Sequence, residues 1–146
     1  MTLHGQSLIV GAPGQPGGRT FRAINPATNT PLDPEFHEVN AADLDRAMSG
    51  AAAAFASYRA TAAVDRAQFL EAIAAAIEAL GDELLQRAVA ETGLPLARIT
   101  GERGRTCGQL RLFAQLVREG SWVDARIDLA LPDRQPLPRP DLRRML

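Results

Sequence analysis

The stretch from Glu91 to Leu110, ETGLPLARITGERGRTCGQL, holds the residues of this chain that most invite a chemical reading. It contains the only cysteine, Cys107, with Arg103, Arg105 and Arg111 close by. Neighbouring cations lower a thiol's pKa, which is what a thiolate nucleophile or a redox-sensing thiol requires. A nucleophile also needs an oriented base, and this stretch has neither histidine nor lysine. On a helix, Ile99, Arg103, Cys107, Leu110, Ala114 and Val117 share one face. Cys107 then falls on a buried stripe, where cysteine behaves as a small hydrophobe. Arg103 lies on the same stripe and needs a fixed partner. That partner is either an ion pair across a domain or subunit boundary, or water reached by snorkelling at the helix edge. The other arginines interleave with Glu91, Glu102 and Glu119. Arg98–Glu102 and Arg111–Gln115 are each four residues apart, which describes a solvated, laced helix face better than an anion or nucleic-acid site.

The second candidate is the glycine run VGAPGQPGG, Val10 to Gly18. Its spacing is G-x-x-G-x-x-G-G, not the G-x-G-x-x-G of a dinucleotide loop, and Pro13 sits where the second glycine belongs. Strand-like residues follow it, so no helix begins there to meet a pyrophosphate. It reads as a surface loop.

Composition narrows the chemistry further. The chain has 146 residues, 46% of them hydrophobic, enough for one modest domain with a real core. Its formal charge of −1 gives no global reason to expect nucleic acid or an anionic membrane as partner. All sixteen basic residues are arginine, which removes a Walker lysine, a Schiff-base lysine and a Ser–Lys dyad. One cysteine and two separated histidines, His4 and His37, make no metal signature. The seventeen acidic residues include no pair that spacing alone assigns to acid–base work. A lone cysteine, no basic leader and no long apolar run predict a soluble, cytoplasmic protein.

The elements that must position these residues follow from periodicity. SLIV (Ser7 to Val10) and TFRAI (Thr20 to Ile24) read as short strands of a small antiparallel unit, with GAPGQPGGR a loop between them. In NPATNTPLDP, Pro26 presets a turn and Asn29 tolerates a left-handed backbone. Four helices are predicted next. The first starts at an N-cap, Asn40, with Asp43 in capping-box position, and carries a core stripe of Leu44, Met48, Ala51, Phe55 and Tyr58. The second carries Phe69, Ile73, Ile77 and Leu80 and ends at Gly81. The third runs from Asp82 to Gly93 with Leu84, Leu85, Ala88 and Val89. The fourth starts at Pro95 and runs to about Glu119, with Gly120 after it. Phe113 and Trp122 read as core residues under the proline-rich tail. That tail contains a strand with Ile127, Leu129 and Leu131 alternating, a proline-rich link and a final strand with an unpaired edge.

Taken in order, FRAINPATNTPL, AFASYR, RAQFLEAIAAAIEALGDELLQRAVAETGLPLARI and GSWVDARIDLALPD resemble the N-terminal segment of the aldehyde dehydrogenase superfamily. GERGRTCGQLRLFAQLVREGSW and PDRQPLPRPDLRRM look most like its α-ketoglutarate semialdehyde (2,5-dioxovalerate) dehydrogenase branch. The resemblance covers the chain from about Leu3 to Leu146. It implies oxidation of an aldehyde to a carboxylate with NAD or NADP, and dimers or tetramers built partly by strand pairing. It implies a mainly α structure with a small β component, the N-terminal part of an α/β fold without its Rossmann sheet. Residues 1–125 correspond to a β-hairpin plus four-helix segment of the cofactor domain, and 126–146 to an extended oligomerisation arm. The family's catalytic cysteine, general-base glutamate, oxyanion asparagine and cofactor lysine all lie past the position matching Leu146. No catalytic, cofactor-binding or metal residue therefore carries over, Cys107 included. The chain is expected to be a truncated piece, inactive by itself, binding no nicotinamide, with apolar helix faces left uncovered. The competing readings are a non-enzymatic helical module that pairs with a partner chain, and a thiol redox sensor built on Cys107.

Overall fold

A computed structural model describes residues 3–15 and 17–145. Its first part is a set of short antiparallel pairs. β1 (Leu8–Ile9) turns directly into β2 (Ala12–Pro13) through Val10 and Gly11, both at positive φ. Two successive left-handed residues give the turn whose twist suits a two-residue hairpin. The expected loop GAPGQPGGR therefore begins inside a hairpin, and SLIV pairs with Ala12–Pro13 rather than with TFRAI.

TFRAI has its own partners. β3 (Thr20–Phe21) pairs with β6 (Phe36–His37), and between them β4 (Ile24–Asn25) pairs with β5 (Thr30–Pro31). The Phe21 and Phe36 rings stack across the outer pair at 5.6 Å. The predicted turn closes the inner one. The Asn25 side chain accepts from the Ala27 N–H at 2.9 Å, and Asn29 stands at φ 54°.

α1 (Ala41–Arg59) starts as predicted, with the Asp43 N–H donating to the Asn40 side chain at 2.8 Å. Its stripe is not core. Leu44, Met48, Phe55 and Tyr58 are each at least half exposed, and every residue from 51 to 60 is exposed. Helical periodicity marks which face is apolar, but burial needs a second surface to cover it.

α2 (Ala63–Ala79), α3 (Gly81–Thr92) and α4 (Leu96–Glu119) form the packed part. Gly81, Gly93 and Gly120 all take positive φ at the predicted helix ends. α2 and α4 lie antiparallel along a seam of small residues. Ala67 and Ala74, seven apart on α2, face Cys107 and Ala114, seven apart on α4, and all four are 1% exposed or less. Small side chains at this spacing let two helix backbones approach closely, while half-buried Leu70, Ile73, Ile77, Leu110 and Val117 flank the seam. Phe69, expected on the buried face, is 53% exposed, because the inward positions of α2 belong to its alanines.

After α4, a short 3-10 turn (Ser121–Val123) leads into β7 (Arg126–Asp128), which pairs antiparallel with β8 (Leu142–Arg144). A bridge between Leu131 and Arg139 continues this hairpin. The final strand thus has a partner along one side from within the chain. Phe113 and Trp122 are both 48% exposed, not core, since the proline-rich segment folds onto its own strands and leaves them uncovered.

Candidate interaction surface

Cys107 sits in the middle of the α2–α4 seam. Its sulfhydryl donates to the Ala74 carbonyl at 3.6 Å. The arginines around it are engaged elsewhere. Arg105 pairs with Glu102 at 2.6 Å, and Arg111 crosses to α2. Within the described chain, Arg103 donates to the Gly81 carbonyl at 3.1 Å, a backbone oxygen at the α2–α3 junction. That contact ties the three helices together where α2 ends. The predicted α4 face is otherwise as read, with Ile99, Arg103, Leu110 and Val117 half-buried around Cys107 and Ala114.

Two bridges rail the seam. Arg111 binds Glu78 through both terminal guanidinium nitrogens at 2.8 and 2.6 Å, and Arg118 binds Glu71 the same way at 2.9 and 3.0 Å. The hydrogen bonds from Arg111 hold the Glu78 carboxyl below the usual carboxylate range, and those from Arg118 do the same for Glu71. Both arginines are pushed further up in return. Arg111 was expected to pair with Gln115 on its own helix, but a bidentate carboxylate across the groove is the stronger acceptor. Arg98–Glu102 forms as expected, at 2.7 Å. The sequence did carry a signal for the rails. Glu71 and Glu78 are seven apart, as are Arg111 and Arg118, the interval of the small residues beside them.

The glycine run forms the β1–β2 hairpin and then passes over the first turn of α1. There the Gln15 N–H donates to the buried Asp43 carboxylate at 2.7 Å. The α1 N-terminus itself is capped by the Asn40 side chain, which accepts from the Asp43 N–H. Among the described residues no group of three or more His, Cys, Asp or Glu is placed to hold a metal. No helix among them is long and apolar enough to cross a membrane.

What remains is surface. Leu44, Met48, Phe55 and Tyr58 form one uncovered apolar face on α1, and Leu112, Phe113 and Leu116 another on α4. Ile127 and Leu129 on the C-terminal hairpin are about as open, at 67% and 72% exposed.

Comparison with known proteins identifies the family. The sequence model of the aldehyde dehydrogenase family matches residues 14–137. The chain is 54% identical over 145 residues to alpha-ketoglutaric semialdehyde dehydrogenase 2 of Azospirillum brasilense, covering 98% of this chain and 27% of that protein. It is 45% identical over 141 residues to alpha-ketoglutaric semialdehyde dehydrogenase of Acinetobacter baylyi, covering 97% and 26%. Among solved structures, succinate-semialdehyde dehydrogenase from Burkholderia pseudomallei superposes with a TM-score of 0.73 at 32% identity, over 90% of this chain and 26% of that one. A NAD-dependent benzaldehyde dehydrogenase from Corynebacterium glutamicum gives 0.74 at 23% identity, over 90% and 28%, and supports the fold alone. The chain spans about a quarter of the length of these relatives. With a family match over most of its length and a fold shared with solved members, this chain belongs to the aldehyde dehydrogenase family.

Proposed function

We propose that this chain supplies the N-terminal part of an NAD(P)-linked aldehyde dehydrogenase that oxidises 2,5-dioxopentanoate (α-ketoglutarate semialdehyde) to 2-oxoglutarate. By itself it neither turns over the aldehyde nor binds the nicotinamide. The observation that carries the substrate is the identity of 54% and 45%, over nearly the whole chain, to two proteins named for that aldehyde. Residues 1–125 act as a helical platform of the cofactor domain, and 126–146 as the arm that joins a sheet between subunits. The uncovered faces of α1 and α4 support the platform role, because each needs a covering surface. The buried, unbridged Cys107 suits a reducing compartment such as the cytoplasm.

A non-enzymatic helical module that pairs with a partner chain is the second reading, and the exposed α1 stripe favours it. The test is to incubate the purified chain with 2,5-dioxopentanoate and NAD or NADP, following both nicotinamide reduction and nicotinamide binding. No turnover and no binding are expected, and robust turnover overturns the proposal.

A further inference from the structure

We infer that residues 3–15 are a strap that fastens α1 to the rest of the molecule, with Asp43 as its latch. Strap and α1 then open together as one unit while the α2–α4 seam stays closed. α1 has little else to hold it. Asp43 is its only buried residue, and the half of the helix beyond Gly50 is exposed throughout. At its far end the Tyr58 ring meets Phe69 edge-on at 6.3 Å, and both side chains are otherwise open.

The strap touches α1 at two points. At the first, the Asp43 carboxylate, 4% exposed, accepts from the Gln15 N–H and pairs with Arg46 at 3.1 Å. Gly14 permits this approach, since a Cβ there would stand 2.9 Å from the Asp43 Oδ2. At the second, Val10 at the hairpin tip lies on Gly50, where a Cβ would come within 2.6 Å of the valine. Ile9, just before the hairpin tip, is 6% exposed and so buries an apolar side chain of the strap.

The other end of the strap is fixed to the body. The Gly5 carbonyl accepts from the His37 N–H at 2.9 Å, and Gly5 packs so tightly on Glu35 that no side chain fits. Leu3 lines a cleft with Leu80, Leu84 and Arg87 at the α2–α3 junction. The strap therefore joins α1 to a body that has its own seam and rails. Local opening follows such boundaries, separating segments held by few buried contacts from those held by many. The latch sets how the apolar stripe of α1 is presented, and this inference stands apart from the proposed substrate.

Hydrogen exchange on the intact chain tests it. In the unaltered protein, amides of 7–15 and 41–59 should exchange through one common opening, below the denaturant concentration that releases α2 and α4. Asp43→Ala removes a charged acceptor and should speed exchange in both segments by about tenfold, leaving α2 and α4 within about twofold. Gly14→Ala should reproduce this from the strap side while altering no residue of α1, and Leu8→Ala, on the exposed side of the strap, should change nothing. Acceleration confined to α1, or equal acceleration through α2 and α4, overturns the inference. So would an unchanged pattern in both Asp43→Ala and Gly14→Ala.

Discussion

Ala74 and Ala75 are adjacent, alike in chemistry and helical, yet one faces the seam and the other faces water. Leucine at either position adds the same three carbons at nearly the same helix propensity. At Ala74, wholly buried against Cys107, those carbons have to push α4 away. Overpacking of a close-packed site costs about 1–3 kcal/mol. For a chain of this size each kilocalorie lowers the melting temperature by roughly 2–4 °C, so Ala74→Leu should melt about 2–12 °C lower. Separating the helices also pulls Arg111 and Arg118 off their carboxylates. Ala75→Leu should stay within about 0.5 kcal/mol of the parent. Thermal unfolding followed by far-ultraviolet circular dichroism on both variants reads this directly. Equal shifts for the two, or a larger one for Ala75→Leu, would refute the seam.

Further expectations rest on other parts of the structure. Glu71 and Glu78 titrate below the usual carboxylate range in the folded chain, so their contribution is complete above about pH 4.3 and fades as pH falls through the lowered values. In urea titrations across that window, the paired Glu71→Gln and Glu78→Gln variant should lose much of the parent's acid sensitivity. Gly93 stands at φ 69° with Pro26 against it, so Gly93→Ala should cost about 1–2 kcal/mol from backbone strain, with added crowding. Gly120→Ala at φ 80° has open space and should cost only the strain, a ranking that chemical denaturation midpoints report. Cys107 should react with a thiol reagent far more slowly in the native chain than in denaturant, and native labelling at the denatured rate would place it on the surface.

The α4 face could be read because one periodic pattern, Ile99 through Val117, meets a neighbour present in the same chain. The helix ends could be read because glycine alone relieves a positive φ without a Cβ clash. The α1 stripe shows the limit of this reasoning, since Leu44 and Phe55 have the pattern of core residues but no described surface over them. The β1–β2 hairpin escaped because its turn places Val10, a β-branched residue, in a conformation that such residues rarely adopt. Gly11 was the only local hint. The partners of Arg103 and Arg111 depend on the register of α4 against α2, a tertiary quantity that spacing along one helix does not contain. Spacing identified Asp43 as a capping residue, but its side chain turned to Gln15, far away in sequence, instead of back to Asn40.

The most direct measurement supplies the covering surface. This chain would be co-expressed with the part of the Azospirillum brasilense relative that it does not match, and the pair assayed for NAD(P)-dependent oxidation of 2,5-dioxopentanoate. The predicted result is a complex that oxidises the aldehyde, with neither part active alone. Turnover by this chain without its complement, or a stable complex that oxidises other aldehydes but not this one, would contradict the account.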